Sequence, residues 1–226
     1  MKSKLSATLF AGLLSVGVTA CDDEGEAHED EHGDEDEDAH DHDHGHDHDE
    51  GHGITTVTLT FTSEDGEVVT GSFRDEDGPG GESGVADKII LAADTTYNVE
   101  MELVAELEET NVTELIADRA EGHFVFFHGP QVSGPASAGD GFLVHEFDDL
   151  ESDYTENEVG EDLPLGLASI VTTTTAGEAD LSVIVRHLPE LNDTPQKTAD
   201  LPEAFARGEE IAGSNDVDVT FDIEVE

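Results

Sequence analysis

From Ile54 onward the chain alternates apolar and polar residues in short runs. In Ile54–Thr62, Val57, Leu59 and Phe61 fall on one face and Thr58, Thr60 and Thr62 on the other. That two-residue period is the mark of a half-buried strand. Thr96–Leu107 repeats it, with Tyr97, Val99, Met101, Leu103 and Leu107 on one side and Glu100, Glu102 and Glu106 opposite. Such a strand has one dry face and one wet face. The same pattern predicts strands at Val68–Phe73, Lys88–Leu91, His123–His128, Phe142–Phe147, Leu165–Thr174, Asp180–His187 and Val217–Glu226. Helical spacing is found at Asn111–Glu121, where Val112, Leu115, Ile116 and Arg119 share a face, and Pro202–Arg207 predicts one more helical turn. Short strands separated by Gly, Asp and Pro turns predict an all-β fold. The expected architecture is an antiparallel β-sandwich of Ig-like or Greek-key type with one short helix, spanning residues 54–226.

The first 53 residues do not follow this pattern. Lys2 and Lys4 precede an apolar run, Leu5 to Val18, which closes on Val18-Thr19-Ala20-Cys21. Residues 1–20 therefore read as an export signal. An ordinary secretory signal with an incidental cysteine is the plainer reading. The only Cys of the chain stands directly after the small residues, however, and this looks like a bacterial lipobox. Lipidation of Cys21 predicts a membrane anchor, and several acyl chains on one residue give stable attachment. The expected location is the cell envelope, on a periplasmic or cell-surface face.

Charge narrows the classes further. The 226 residues carry 8 Lys+Arg against 57 Asp+Glu, a formal net charge of −49. Phosphate backbones repel such a chain, which argues against nucleic acid as a partner. One cysteine excludes an internal disulfide and any Cys₄ or Cys₂His₂ zinc site. Residues 22–53 hold 17 acids, 8 His, only Gly and Ala besides, and no base. With no large apolar residue to bury, this segment is expected to be a disordered tether. His40, His42, His44, His46 and His48 alternate with Asp41, Asp43, Gly45 and Asp47, and His28, His32 and His52 flank them. Imidazoles at every second position of a flexible chain offer many overlapping ligand sets for Zn, Cu(II) or Ni, and carboxylates complete them. Zn²⁺ is the expected ion, bound at several loose, fast-exchanging sites. A solvated acidic spacer is the rival account of the same residues. Protonating the imidazoles predicts metal release near pH 6.

The domain itself, with 40 acids and 6 bases, is also acidic. Its histidines are His123, His128, His145 and His187. Five residues separate His123 from His128, so period-2 alternation sends them to opposite faces. The candidate metal pair is His123 with His187, completed by Glu121, against the plainer reading of ordinary hydrogen bonds at strand ends. Asp75-Glu76-Asp77-Gly78-Pro79-Gly80-Gly81 is an acidic turn in which Asp75 and Asp77 are candidate Ca²⁺ ligands. Turn chemistry alone also accounts for it. No GxSxG, HExxH, Walker or GxGxxG motif is present, and no enzymatic activity is expected.

An ordered series of short motifs carries a resemblance: Ile54–Thr62, Arg74-Asp75-Glu76-Asp77-Gly78, the alternating Thr95–Leu103 strand, Glu121–Phe127, Pro164-Leu165-Gly166-Leu167, Arg186-His187-Leu188-Pro189 and Asp216–Val225. The series resembles a family of small bacterial lipoproteins, best known from Bacteroidetes and commonly labelled "type 1 periplasmic binding fold superfamily protein". That label implies a two-lobed α/β fold, which the strand pattern contradicts. The resemblance implies a nutrient-uptake setting beside TonB-dependent receptors. The chain departs from the family near Leu201–Ala206 and in its His-dense tether. Together these readings predict a lipid-anchored protein that captures or buffers a divalent transition metal and hands it to a TonB-dependent receptor or metal transporter. The alternative is an interaction module for a receptor or surface partner, carried on an acidic spacer.

Overall fold

The computed structural model describes residues 53–78, 84–157, 160–192 and 194–226. The signal segment, Cys21 and the tether histidines from His28 to His52 lie outside the described residues. The described strands are β1 (Thr56–Ser63), β2 (Val68–Arg74), β3 (Val85–Ala86), β4 (Ile89–Leu91), β5 (Thr96–Ala105), β6 (Thr110–Asn111), β7 (His123–His128), β8 (Val132–Gly134), β9 (Ser137–Ala138), β10 (Leu143–Phe147), β11 (Ala168–Thr173), β12 (Gly177–His187) and β13 (Ser214–Val225). Two six-residue helices, α1 (Val112–Ala117) and α2 (Leu201–Ala206), complete the set.

The strands form two sheets. The larger runs β3-β2-β1-β5-β11-β10-β8-β9, with β6 beside β5, and the smaller runs β4-β13-β12-β7. Alternation builds both. Val57, Leu59 and Phe61 of β1 are buried, as are Tyr97, Val99, Met101 and Leu103 of β5. From the second sheet, Leu181, Val183 and Val185 of β12 and Val219, Phe221 and Ile223 of β13 join them in one hydrophobic cluster. The fold is an all-β sandwich, as the pattern predicts. Pairing is mixed rather than wholly antiparallel: β10 with β8 and β13 with β4 run parallel. Both exceptions involve three-residue strands brought in from distant loops, which no local pattern announces.

Local chemistry explains the ends. β1 turns into β2 at Asp65-Gly66, where Gly66 takes φ 81° and its N–H donates to the Ser63 carbonyl (2.9 Å). β5 stops at Ala105 because the chain tightens into a 3₁₀ turn over Glu106–Glu108 and passes through left-handed Glu109 (φ 52°). That turn carries Leu107 out of the strand's inner face, so it is 66% exposed, not buried as the period predicts. The Asn111 side chain caps α1 by accepting from the Thr113 N–H (3.1 Å). Of the face read at helical spacing, Val112 and Ile116 are buried, whereas Leu115 and Arg119 are exposed. The helix ends at Ala117, too early to carry Arg119 round with the others.

A second, smaller core lies around Phe124, Phe126, Ile184, Leu188 and Leu201. α2 closes it, with Phe205 stacked on Phe126 at 4.3 Å. The residues between β12 and β13 thus fold back on the β7–β12 face. Arg186 holds the segment that enters β13: its guanidinium donates to the carbonyls of Ile211, Ala212 and Gly213 and to Asn215 Oδ1 at 2.6–2.9 Å.

The charge on the sandwich leaves a mark on its register. Glu178 pairs directly with Glu224, and Asp180 with Asp222, on adjacent strands. Lys88 Nζ relieves the first pair, at 2.6 Å from Glu224 and 3.9 Å from Glu178. Like charges placed opposite each other destabilise a sheet. Asp222→Asn is therefore expected to raise stability by about 0.5 kcal/mol, read as a higher urea midpoint at low salt, with the gain shrinking in 1 M NaCl.

Candidate functional site

Three groups of side chains merit comparison as sites. The first is the pair expected from sequence. His123 and His187 are cross-strand partners on β7 and β12. Their rings stack, with centroids 4.8 Å apart and planes at 10°. His123 Nδ1 lies 2.9 Å from the Arg119 carbonyl, which fixes Nδ1 as the donor. Its Nε2 sits 3.7 Å from Asp216 Oδ2, both side chains being buried. A one-residue register shift beside Arg186 turns Asp216 towards this position. The structure thus brings His123 and His187 together, but face to face. Imidazole lone pairs lie in the ring plane, so parallel stacked rings cannot both point at one ion about 2.0–2.1 Å away. Among the described residues no group of three or more His, Cys, Asp and Glu is placed to hold a metal ion. Glu121 lies on the neighbouring 3₁₀ turn, Ala120–Gly122, facing the cleft described below.

The other two histidines stand apart from this pair. His145 is buried between the sheets, stacked on Phe127 at 4.6 Å and edge-on to Phe147 at 4.9 Å. Its Nε2 meets Ser169 Oγ at 3.1 Å, while Nδ1 has no hydrogen-bond partner. Burial pushes its pKa down from 6.5 to about 4, so the ring is neutral near pH 7. His128 is half-buried against the edge of Phe205, and burial lowers its pKa against a smaller opposing pull from Asp218. As period 2 predicts, His123 and His128 face opposite ways. Of the acidic turn, Asp75 donates its N–H to the Thr55 carbonyl (2.8 Å) and Gly78 takes φ 75°. This is turn geometry, and residues 79–83 of that loop lie outside the described residues.

The second group is a cleft of about 470 Å³ at the end of the sandwich. Among the described residues it is lined by the turn that follows α1 (118–122), by Glu151, Glu156 and Leu163, and by Leu188, Glu190 and Lys197. An ion pair lies against its floor. Lys197 Nζ is 2.7 Å from Glu151 Oε1, with both side chains 2% exposed. The same ammonium donates to the Ala120 carbonyl at 2.9 Å and lies 5.5 Å from the Phe124 ring centre. Asn157 Nδ2 donates to the other Glu151 oxygen at 3.0 Å. Burial lowers the Lys197 pKa and Glu151 partly restores it. Lys197 thereby ties together the three segments that wall the cleft.

The third group is Asp149, a buried carboxylate that accepts from the Gly166 and Ala168 N–H groups (2.8–3.0 Å) and from Tyr154 Oη (2.9 Å). Burial and then the Asp149 charge hold the Tyr154 phenol above its usual pKa. This cluster fastens the loop before β11, and its Tyr154 and Ala168 also line an open hollow of about 530 Å³ beside β5 and α1.

Sequence reading missed Lys197 and Glu151. The one signal available was scarcity: the domain has six bases against 40 acids. No family model, curated protein or solved structure matches this chain. Among the described residues no helix is long and apolar enough to cross a membrane.

Proposed function

We propose that this chain is a lipid-anchored, extracytoplasmic protein that captures divalent transition metal, Zn²⁺ foremost, on residues 22–53. The observation that carries the reading is compositional: eight histidines and 17 carboxylates in 32 residues, with no base to compete for them. Each segment then has its own role. Cys21 anchors the chain, the tether concentrates and exchanges ions, and the sandwich is the body a TonB-dependent receptor or metal transporter would contact. The motif series from Ile54 to Val225, read as resembling bacterial lipoproteins, fits a nutrient-uptake setting. Function is equilibrium capture and hand-off, without turnover.

The ligands must be neutral imidazole and ionised carboxylate, so binding competes with protons. Equilibrium dialysis of the full chain against Zn²⁺ is expected to retain several ions at pH 7.5 and to release most of them at pH 5.5. Retention unchanged between the two values rules out histidine as the main ligand.

A further inference from the structure

We propose that Lys197, Glu151 and Asn157 form a self-crosslinking triad, in which Lys197 Nζ displaces ammonia from the Asn157 side chain and leaves an intramolecular amide bond. Three groups meet on one carboxylate. Lys197 Nζ is 2.7 Å from Glu151 Oε1, and Asn157 Nδ2 donates to Glu151 Oε2 at 3.0 Å. An amine, a carboxamide and a proton carrier are thus held side by side. Asn157 precedes β11 and Lys197 follows β12, so the chain brings them together only on folding.

The surroundings suit the reaction. The Lys197 and Glu151 side chains are each 2% exposed. The buried Phe124 ring, its centre 5.5 Å from Nζ, keeps water from that side. Burial lowers the Lys197 pKa, with the Glu151 hydrogen bond opposing it. Only the neutral amine has a lone pair to give. A buried ion pair also carries a desolvation cost that neutral products escape. Asn157 is half-buried, which leaves the released ammonia a path to solvent.

The two hydrogen bonds lay out the proton path. The Lys197 ammonium gives one proton to Glu151 Oε1, and the neutral Nζ attacks Asn157 Cγ. The Nζ–Cγ bond forms and the Cγ–Nδ2 bond breaks. Glu151 delivers its proton to Nδ2, which leaves as ammonia, and then takes the surplus proton from Nζ. An ion pair and a carboxamide become a secondary amide, a neutral carboxylic acid and ammonia. Atoms and charge balance with no co-reactant. The bond closes a loop that contains β11 and β12 and restricts the unfolded chain as a disulfide does. With a single cysteine, this chain cannot make an internal disulfide. The reaction occurs once per chain and is independent of metal capture by the tether. The energetics of the ion pair are those of the chain before this reaction.

Tryptic mapping of the full chain reads the bond directly. Cleavage after Lys and Arg gives 120–186, which holds Glu151 and Asn157, and separate peptides 187–197 and 198–207. An acylated Lys197 resists trypsin. As the refolded chain stands at pH 7.5, these three are expected to give way to one branched peptide, 120–186 joined to 187–207, lighter than the sum of those two by one ammonia. Asn157→Ala removes only a half-buried side chain, so it keeps the fold and yields no branched peptide. Asn157→Asp still cross-links, with loss of water in place of ammonia. Glu151→Gln, which keeps the shape and loses the proton carrier, slows the reaction at least about a hundredfold. Cleavage after Lys197 that stays complete in the parent overturns the proposal. So does a parent peptide that has lost water, which places the bond on a carboxylate, or a branched peptide that persists in Asn157→Ala.

Discussion

Lys197→Met is expected to lower the unfolding free energy by about 4 kcal/mol, because it leaves Glu151 buried without its counter-charge. Both side chains are 2% exposed, and Lys197 also satisfies the Ala120 carbonyl. Removing one partner of such a pair is costly for a specific reason. The remaining carboxylate keeps its desolvation penalty and loses the interaction that offset it. Replacing both partners by apolar residues of similar volume removes the penalty as well. The double variant Glu151→Leu/Lys197→Met is therefore expected to return to within about 1–2 kcal/mol of the parent, the remaining deficit coming from the orphaned Ala120 carbonyl and Asn157 amide. Urea unfolding of the two variants and the parent checks this. A single variant that loses less than about 1 kcal/mol would mean that water reaches Glu151 and that the pair is not a buried strut.

Acid should weaken the sandwich through His145. Its folded pKa is about 4 against 6.5 for a free imidazole, so between those values the unfolded chain takes up a proton that the folded chain refuses. The contribution is fully present above about pH 6.5, falls as pH drops through the window, and is gone below about pH 4. A separation of that size corresponds to roughly 3 kcal/mol of stability lost across the window. His128 is shifted the same way and adds to the effect. The cause is burial: Phe127 and Phe147 enclose the ring, and Nδ1 finds no acceptor for a second proton. The double variant His145→Leu/Ser169→Ala removes the titrating group together with the hydroxyl it would leave unpaired. Its urea midpoint should vary much less between pH 6.5 and 4.5 than that of the parent. An equally steep loss in the double variant assigns the acid effect to other groups.

Most of the sandwich was legible because the strands obey a two-residue period. β7 begins and ends at His123 and His128, as the alternation predicts, and the buried faces of β1 and β5 are those it names. Reading failed where the chain changes direction without changing its pattern. Leu107 keeps the period of β5 on paper, but a 3₁₀ turn has already rotated it into solvent. The parallel partners of β8 and β4 are set by where distant loops arrive, which is not a local property. The same division runs through the candidate site. His123 and His187 were legible as neighbours because each bounds a strong strand. Their stacking follows from antiparallel register, which a single strand does not specify. Lys197 sits in a loop, where no periodicity places a side chain. What marks it is the chain's poverty in bases.

The central claim is that the tether, not the sandwich, is the metal organ. The direct measurement is calorimetric titration of Zn²⁺ at pH 7.5 into the full chain and into a variant in which His28, His32, His40, His42, His44, His46, His48 and His52 are all replaced by Gln. The account predicts that the parent binds several ions and that the variant, its fold intact, loses all but weak carboxylate binding. A variant that binds as many ions as tightly as the parent, or a parent that binds none, contradicts it.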